Sequence, residues 1–67
     1  MKRIPLDTNY NCLGPDKPIL SPKKVVYFKV EINERVIVVQ DDEEWVGTVK
    51  FDPSLPEQWQ WYIEIEY

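Results

Sequence analysis

From residue 59 to the end of the chain, Trp59, Trp61, Ile63, Ile65 and Tyr67 alternate with Gln60, Tyr62, Glu64 and Glu66. Alternation of this kind places one set of side chains on each face of an extended strand, so the segment predicts a β-strand with one buried face. Three further segments carry the same signal. Val26, Phe28, Val30 and Ile32 alternate with Val25, Tyr27, Lys29 and Glu31, predicting a first core strand from Lys24. Val36 to Gln40 is apolar on both faces, as a central strand is. Trp45, Gly47, Val49 and Phe51 share a face opposite Val46, Thr48 and Lys50.

The joints between these runs fix their parity, because a one-residue slip exchanges the faces of a strand. A four-residue loop at Asp41 to Glu44 pairs Gln40 with Trp45 and sets Val36 and Val38 beside Gly47 and Val49. Bringing Val30 and Ile32 to that side requires an odd-length first loop, such as Asn33 to Arg35. Asp52 to Pro56 interrupts pairing and has room for one tight helical turn, since Pro53 and Pro56 lack a backbone donor.

Residues 1–23 read differently. Pro5, Pro15, Pro18 and Pro22 disfavour helix there, and Gly14-Pro15-Asp16 and Ser21-Pro22 read as turns. Ile4, Leu6, Tyr10, Leu13, Ile19 and Leu20 make this an arm packed in part over the core. The expectation is therefore an all-β domain with a proline-rich basic arm (1–23) and an antiparallel core (24–67). The core is a four- to five-stranded meander curled into a small barrel-like, SH3-like sheet. A flat sheet with one uncovered face is the alternative, and it would need a partner chain.

Sixty-seven residues make one domain, which buries about 60% of the surface its unfolded chain exposes. Cys12 is the only cysteine, so no internal disulfide supports the core and no zinc knuckle or Cys-x-x-Cys motif exists. With nothing local to lower its pKa, Cys12 reads as a small inert hydrophobe. A reducing, cytoplasmic setting fits. The apolar run Val36 to Val39 is too short to span a bilayer, and no signal-peptide pattern opens the chain.

Chemistry is narrowed by what the chain lacks. Without histidine there is no serine triad, Cys-His dyad or histidine metal site. A pair of carboxylates facing each other across a cleft needs more scaffold than this. Gly14 and Gly47 are isolated, so no phosphate loop forms. The run Asp41-Asp42-Glu43-Glu44 lacks the spacing and central glycine of a calcium loop. It reads first as a solvated hairpin tip and second as a charged contact. We expect no enzyme activity, no cofactor and no metal.

Charge is segregated along the chain. Residues 1–30 hold six basic groups against Asp7 and Asp16, net +4, whereas residues 31–67 hold Arg35 and Lys50 against ten carboxylates, net -8. Such a field bears on association. The reading that follows is a small acidic, non-catalytic binding protein that docks on a basic surface of another protein. One form of it is an inhibitor that occupies the nucleic-acid surface of a nuclease or related host factor, as small mobile elements carry. The candidate contacts are Asp41, Asp42, Glu43, Glu44, Trp45, Glu57, Tyr62, Glu64 and Glu66, with Asp52 extending the row. Trp45 belongs at an edge of the core, and Trp59 and Trp61 read as core before they read as a recognition platform.

The alternative is a structural subunit or adaptor held by its arm and a sheet edge. Single-strand nucleic-acid binding through Lys23, Lys24, Lys29 and Tyr27 ranks last, because the net -8 of residues 31–67 opposes it. No membrane contact is expected, and the protein is read as a monomer or small homo-oligomer.

Overall fold

The structure, a computed structural model, describes residues 1–6, 14 and 16–66. The elements are β1 (Lys2–Pro5), α1 (Pro22–Phe28), β2 (Arg35–Gln40), β3 (Glu43–Phe51), a 3-10 turn (Glu57–Trp59) and β4 (Trp61–Ile65). They form one four-stranded sheet in the order β1-β2-β3-β4. The chain is mostly β, as expected, but the sheet is mixed: β1 runs parallel to β2, and β2, β3 and β4 form an antiparallel meander. Among the described residues β1 and β4 stand at opposite sides of the sheet, which is open and not a closed barrel.

The largest correction concerns Lys24 to Ile32, predicted as a strand and folded mainly as α1. Ser21-Pro22, read as a turn, is a helix start. The Ser21 hydroxyl accepts a hydrogen bond from the Lys24 N–H at 3.3 Å, and Pro22 occupies the first turn, where a missing N–H costs nothing. The helix ends at Lys29, which adopts the left-handed region at φ 54°. Seven residues are too few to hold a helix in isolation. Its hold comes from Val25 and Phe28, three apart and thus on one side, which pack on the core. Val26 and Ile32, expected inside, are 76% and 53% exposed, while Val30 is buried. The boundary between 23 and 24 falls within α1.

The missing first core strand is replaced by the arm. Lys2 to Pro5 pairs with Val36 to Val39, and Leu6 N–H continues the ladder to the Val39 carbonyl at 3.0 Å. The arm also supplies a short fifth stretch on the outer side of β4. There Leu20 N–H bonds the Trp61 carbonyl, while the N–H groups of Ile63 and Ile65 bond the carbonyls of Pro18 and Asp16. Gly14 accepts from Lys17 N–H at 3.1 Å, closing a turn where one was expected.

The β2–β3 joint is shorter than predicted. Gln40 pairs with Glu43, leaving Asp41-Asp42 as a two-residue turn with Asp41 at φ 53°. Register therefore moves by two residues, an even number, and the predicted faces survive. Val36 lies opposite Gly47, which lies opposite Ile65, and Val49 lies opposite Ile63. This face, with Ile4, Leu20 and Val30, forms the buried core. Trp61 packs against it with its ring 4.9 Å from that of Phe51. Trp59, expected beside it, lies in the 3-10 turn and is 44% exposed, because β4 starts only at Trp61.

Candidate functional site

Asp41 and Asp42 project from the β2–β3 turn, and both are exposed. Asp is among the few residues that tolerate the left-handed region Asp41 occupies. Glu43 and Glu44 open β3 and alternate. Glu43 shares the side of Trp45, which is half-buried against the core from its position opposite Val38. Glu44 lies on the other face, where its carboxylate meets the Arg3 guanidinium of β1.

That second face collects more of the candidate residues. Tyr62, opposite Lys50 and bridged to Ile19, is half-buried there, and Glu64, opposite Thr48, is exposed. Glu66 continues the ladder through its N–H to the Val46 carbonyl, and its carboxylate takes the Arg35 guanidinium at 2.8 Å. The row of Glu64 and Glu66 is thus half neutralised from within. Glu57 sits in the connection between β3 and β4, at the opposite end of the sheet from Asp41 and Asp42. Asp52 is also at that end. Its carboxylate accepts from the Ser54 hydroxyl at 2.6 Å and the Ser54 N–H at 2.9 Å, bonds that hold its pKa below the ordinary value.

The candidates therefore separate into three groups. Asp41, Asp42 and Glu43 form an acidic tip, and among the described residues they make no ion pair. Glu44, Tyr62, Glu64 and Glu66 share a sheet face whose carboxylates alternate with cations. Asp52 and Glu57 lie apart. Of the three ion pairs among the described residues, two join the basic amino-terminal half to the acidic remainder: Arg3 with Glu44, and Lys2 with Glu34 at 3.2 Å. Part of the charge segregation is thus spent on docking β1.

Glu34 was absent from the sequence-derived set. Its carboxylate accepts the Glu31 N–H at 3.0 Å and reaches Lys2, while its carbonyl receives the Val49 N–H at 2.8 Å. The backbone bond from Glu31, with Lys2 beside it, keeps the Glu34 pKa below the ordinary carboxylate value despite partial burial. Arg3 and Arg35 were also missed. The signal for them is opposite charge on strands two apart in the sheet, which is legible only once strand order and register are known.

The edges bear on association too. Leu6 N–H bonds inward to β2, so by alternation Arg3 and Pro5 turn their backbone outward. Pro5 has no N–H, and its carbonyl receives the Lys24 ammonium at 2.6 Å. Cys12 and Tyr67 lie outside the described residues. Among the described residues no three Cys, Asp or Glu side chains converge as metal ligands, and no helix is long and apolar enough to cross a membrane. Compared with known proteins, the chain matches no family model, no curated relative and no solved structure.

Proposed function

We propose that this chain is a small non-catalytic binding domain whose acidic β2–β3 tip docks on a basic surface of another protein in the cytoplasm. The observation that carries the reading is the run Asp41, Asp42 and Glu43, exposed and without an ion-pair partner among the described residues. Unpaired carboxylates on a protruding turn project a concentrated field, which accelerates encounter with a cationic patch and selects against acidic surfaces. The tip carries more of this reading than the sheet face of Glu44, Glu64 and Glu66, because Arg35 occupies Glu66 and Arg3 occupies Glu44. If the cationic patch is one that otherwise holds nucleic acid, docking makes the protein an inhibitor of that factor.

The adaptor reading draws less support. Residues 2–5 are a strand of the sheet, and Ile4 and Leu20 are fully buried, so these described parts of the arm are committed to the fold. Pro5 and Lys24 block strand addition at the β1 edge.

Capture from lysate by tagged wild type, by D41N/D42N/E43Q and by E64Q, at low and high salt, tests the proposal. Asn is chosen at residue 41 because it too accepts the left-handed backbone. Salt-sensitive capture should persist in wild type and E64Q and disappear in the triple variant. The same captured proteins with the same salt sensitivity in all three would rule the tip out.

A further inference from the structure

Among the described residues two parts of the surface have opposite character. On its outer side α1 presents Val26 and Tyr27, 76% and 78% exposed, the two most exposed large apolar side chains described. With Pro22 and Lys23 they line a shallow apolar groove. From Pro22 to Val30 the chain holds Lys23, Lys24 and Lys29 and no carboxylate. Lys24 is committed to the Pro5 carbonyl, whereas Lys23 and Lys29 are exposed and make no ion pair among the described residues. The second part is the acidic tip. Beside Asp41 lies a hollow walled by Pro5, Leu6, Val39 and Gln40, whose surface is mixed, more polar than apolar.

We infer that the outer side of α1 is the docking surface for the β2–β3 tip of a second copy of this chain. The inference rests on the reading of Asp41 to Glu43 as a docking element and names one occupant for it. Lys23 and Lys29 face Asp42 and Glu43 in this arrangement, and the protruding Tyr27 meets the hollow beside Asp41. α1 packs on the core face of the sheet and the tip stands at a sheet end, so the contact joins two different patches. Two copies can make it once, head-to-tail, or twice about a two-fold axis. Exposed charge pairs contribute little individually, and covering Val26 and Tyr27 adds an apolar term. The resulting association is weak and salt-sensitive, because the screening length falls from about 8 Å at physiological salt to about 3 Å at 1 M. A tip held by α1 of a neighbour is unavailable to another protein, so self-association and partner docking compete.

Sedimentation velocity of the full chain from about 10 µM to about 1 mM, the range suited to contacts this weak, tests the inference at low salt and at 1 M salt. Wild type should gain mass with concentration at low salt only. K23E/K29E and D42K/E43K should each stay monomeric, and their equimolar mixture should regain association. Recovery in the mixture shows that both variants are folded. Y27S should weaken association by at least about tenfold, as loss of an aromatic anchor does. A wild type that is monomeric throughout overturns the inference, as does either charge variant associating as wild type does. If wild type is monomeric while D41N/D42N/E43Q loses lysate capture, self-association fails and the docking reading stands. If wild type associates as described while neutralising the tip leaves capture unchanged, docking on another protein fails and the homotypic contact stands.

Discussion

On the α1 side of the sheet Ile4, Val36, Val38, Val49 and Ile63 are fully buried, whereas on the other side Ile37, Val39, Val46 and Tyr62, drawn from the same strands, are half-buried. The first side is sealed by Leu20, Val30, Val25 and Phe28. The second is framed by Arg3 with Glu44 and by Arg35 with Glu66, pairs that reach diagonally across the intervening strand. Burial on the first side removes apolar surface from water completely, at roughly 1.5–3 kcal/mol for each large aliphatic side chain. On the second side the exposed ion pairs contribute at most about 1 kcal/mol each. Stability in this domain is therefore concentrated on one face, and the other is left to tolerate change or to meet a partner.

Ile63→Ala tests this contrast most severely. It should cost about 2–5 kcal/mol in urea unfolding, with Val46→Ala on the opposite face costing about 1 kcal/mol or less. Equal losses would mean that the two faces are equally packed. Gly47→Ala comes next. An added Cβ would run into Ile63 Cγ2 and stand 3.1 Å from the Glu64 carbonyl oxygen, so an expected loss of about 1–3 kcal/mol reports overpacking at the centre of the core face.

A smaller effect concerns Glu34. Its pKa is depressed in the folded state, so its contribution is fully present above the ordinary carboxylate value and is lost as pH falls through the lower folded value. Glu34→Gln should therefore flatten the acid limb of a stability-against-pH curve and leave its shape at neutral pH unchanged. A wild-type acid limb in the variant would show that Lys2 and the Glu31 N–H do not hold that carboxylate. The smallest change is expected from Arg35→Gln, about 1 kcal/mol or less, vanishing when wild type and variant are compared in 1 M salt. A larger, salt-resistant loss would show that the second face contributes more to folding than its exposure implies.

The β2–β3–β4 meander was legible because each strand carries its own signal. Val36 and Val38, Gly47 and Val49, and Ile63 and Ile65 fall on the predicted face even though the turn is two residues shorter than read. Parity protects such a prediction from even-numbered errors. Residues 24–32 were misread because an alternating apolar run also contains apolar residues three apart. Val25 and Phe28 serve a short helix as well as Val26 and Phe28 serve a strand. Ser21-Pro22 was the signal that decides between them. Of the candidate site, the acidic tip was legible as a charge run on a turn. Its separation from Glu57 followed from the length of β3. The neutralisation of Glu44 and Glu66 depended on pairings with Arg3 and Arg35 that no local pattern announces.

The sequence by itself determined a mostly β domain, the faces of β2, β3 and β4, and the acidic character of the β2–β3 turn. Those properties follow from side-chain alternation and local composition, which act over a few residues. Only the tertiary structure decided that β1 pairs parallel to β2, that α1 seals the core, and which carboxylates pair with an arginine. These outcomes depend on contacts between residues up to 41 positions apart, as for Arg3 and Glu44. Such contacts are selected by the free energy of burying the whole core at once, and no window of neighbouring residues contains that information.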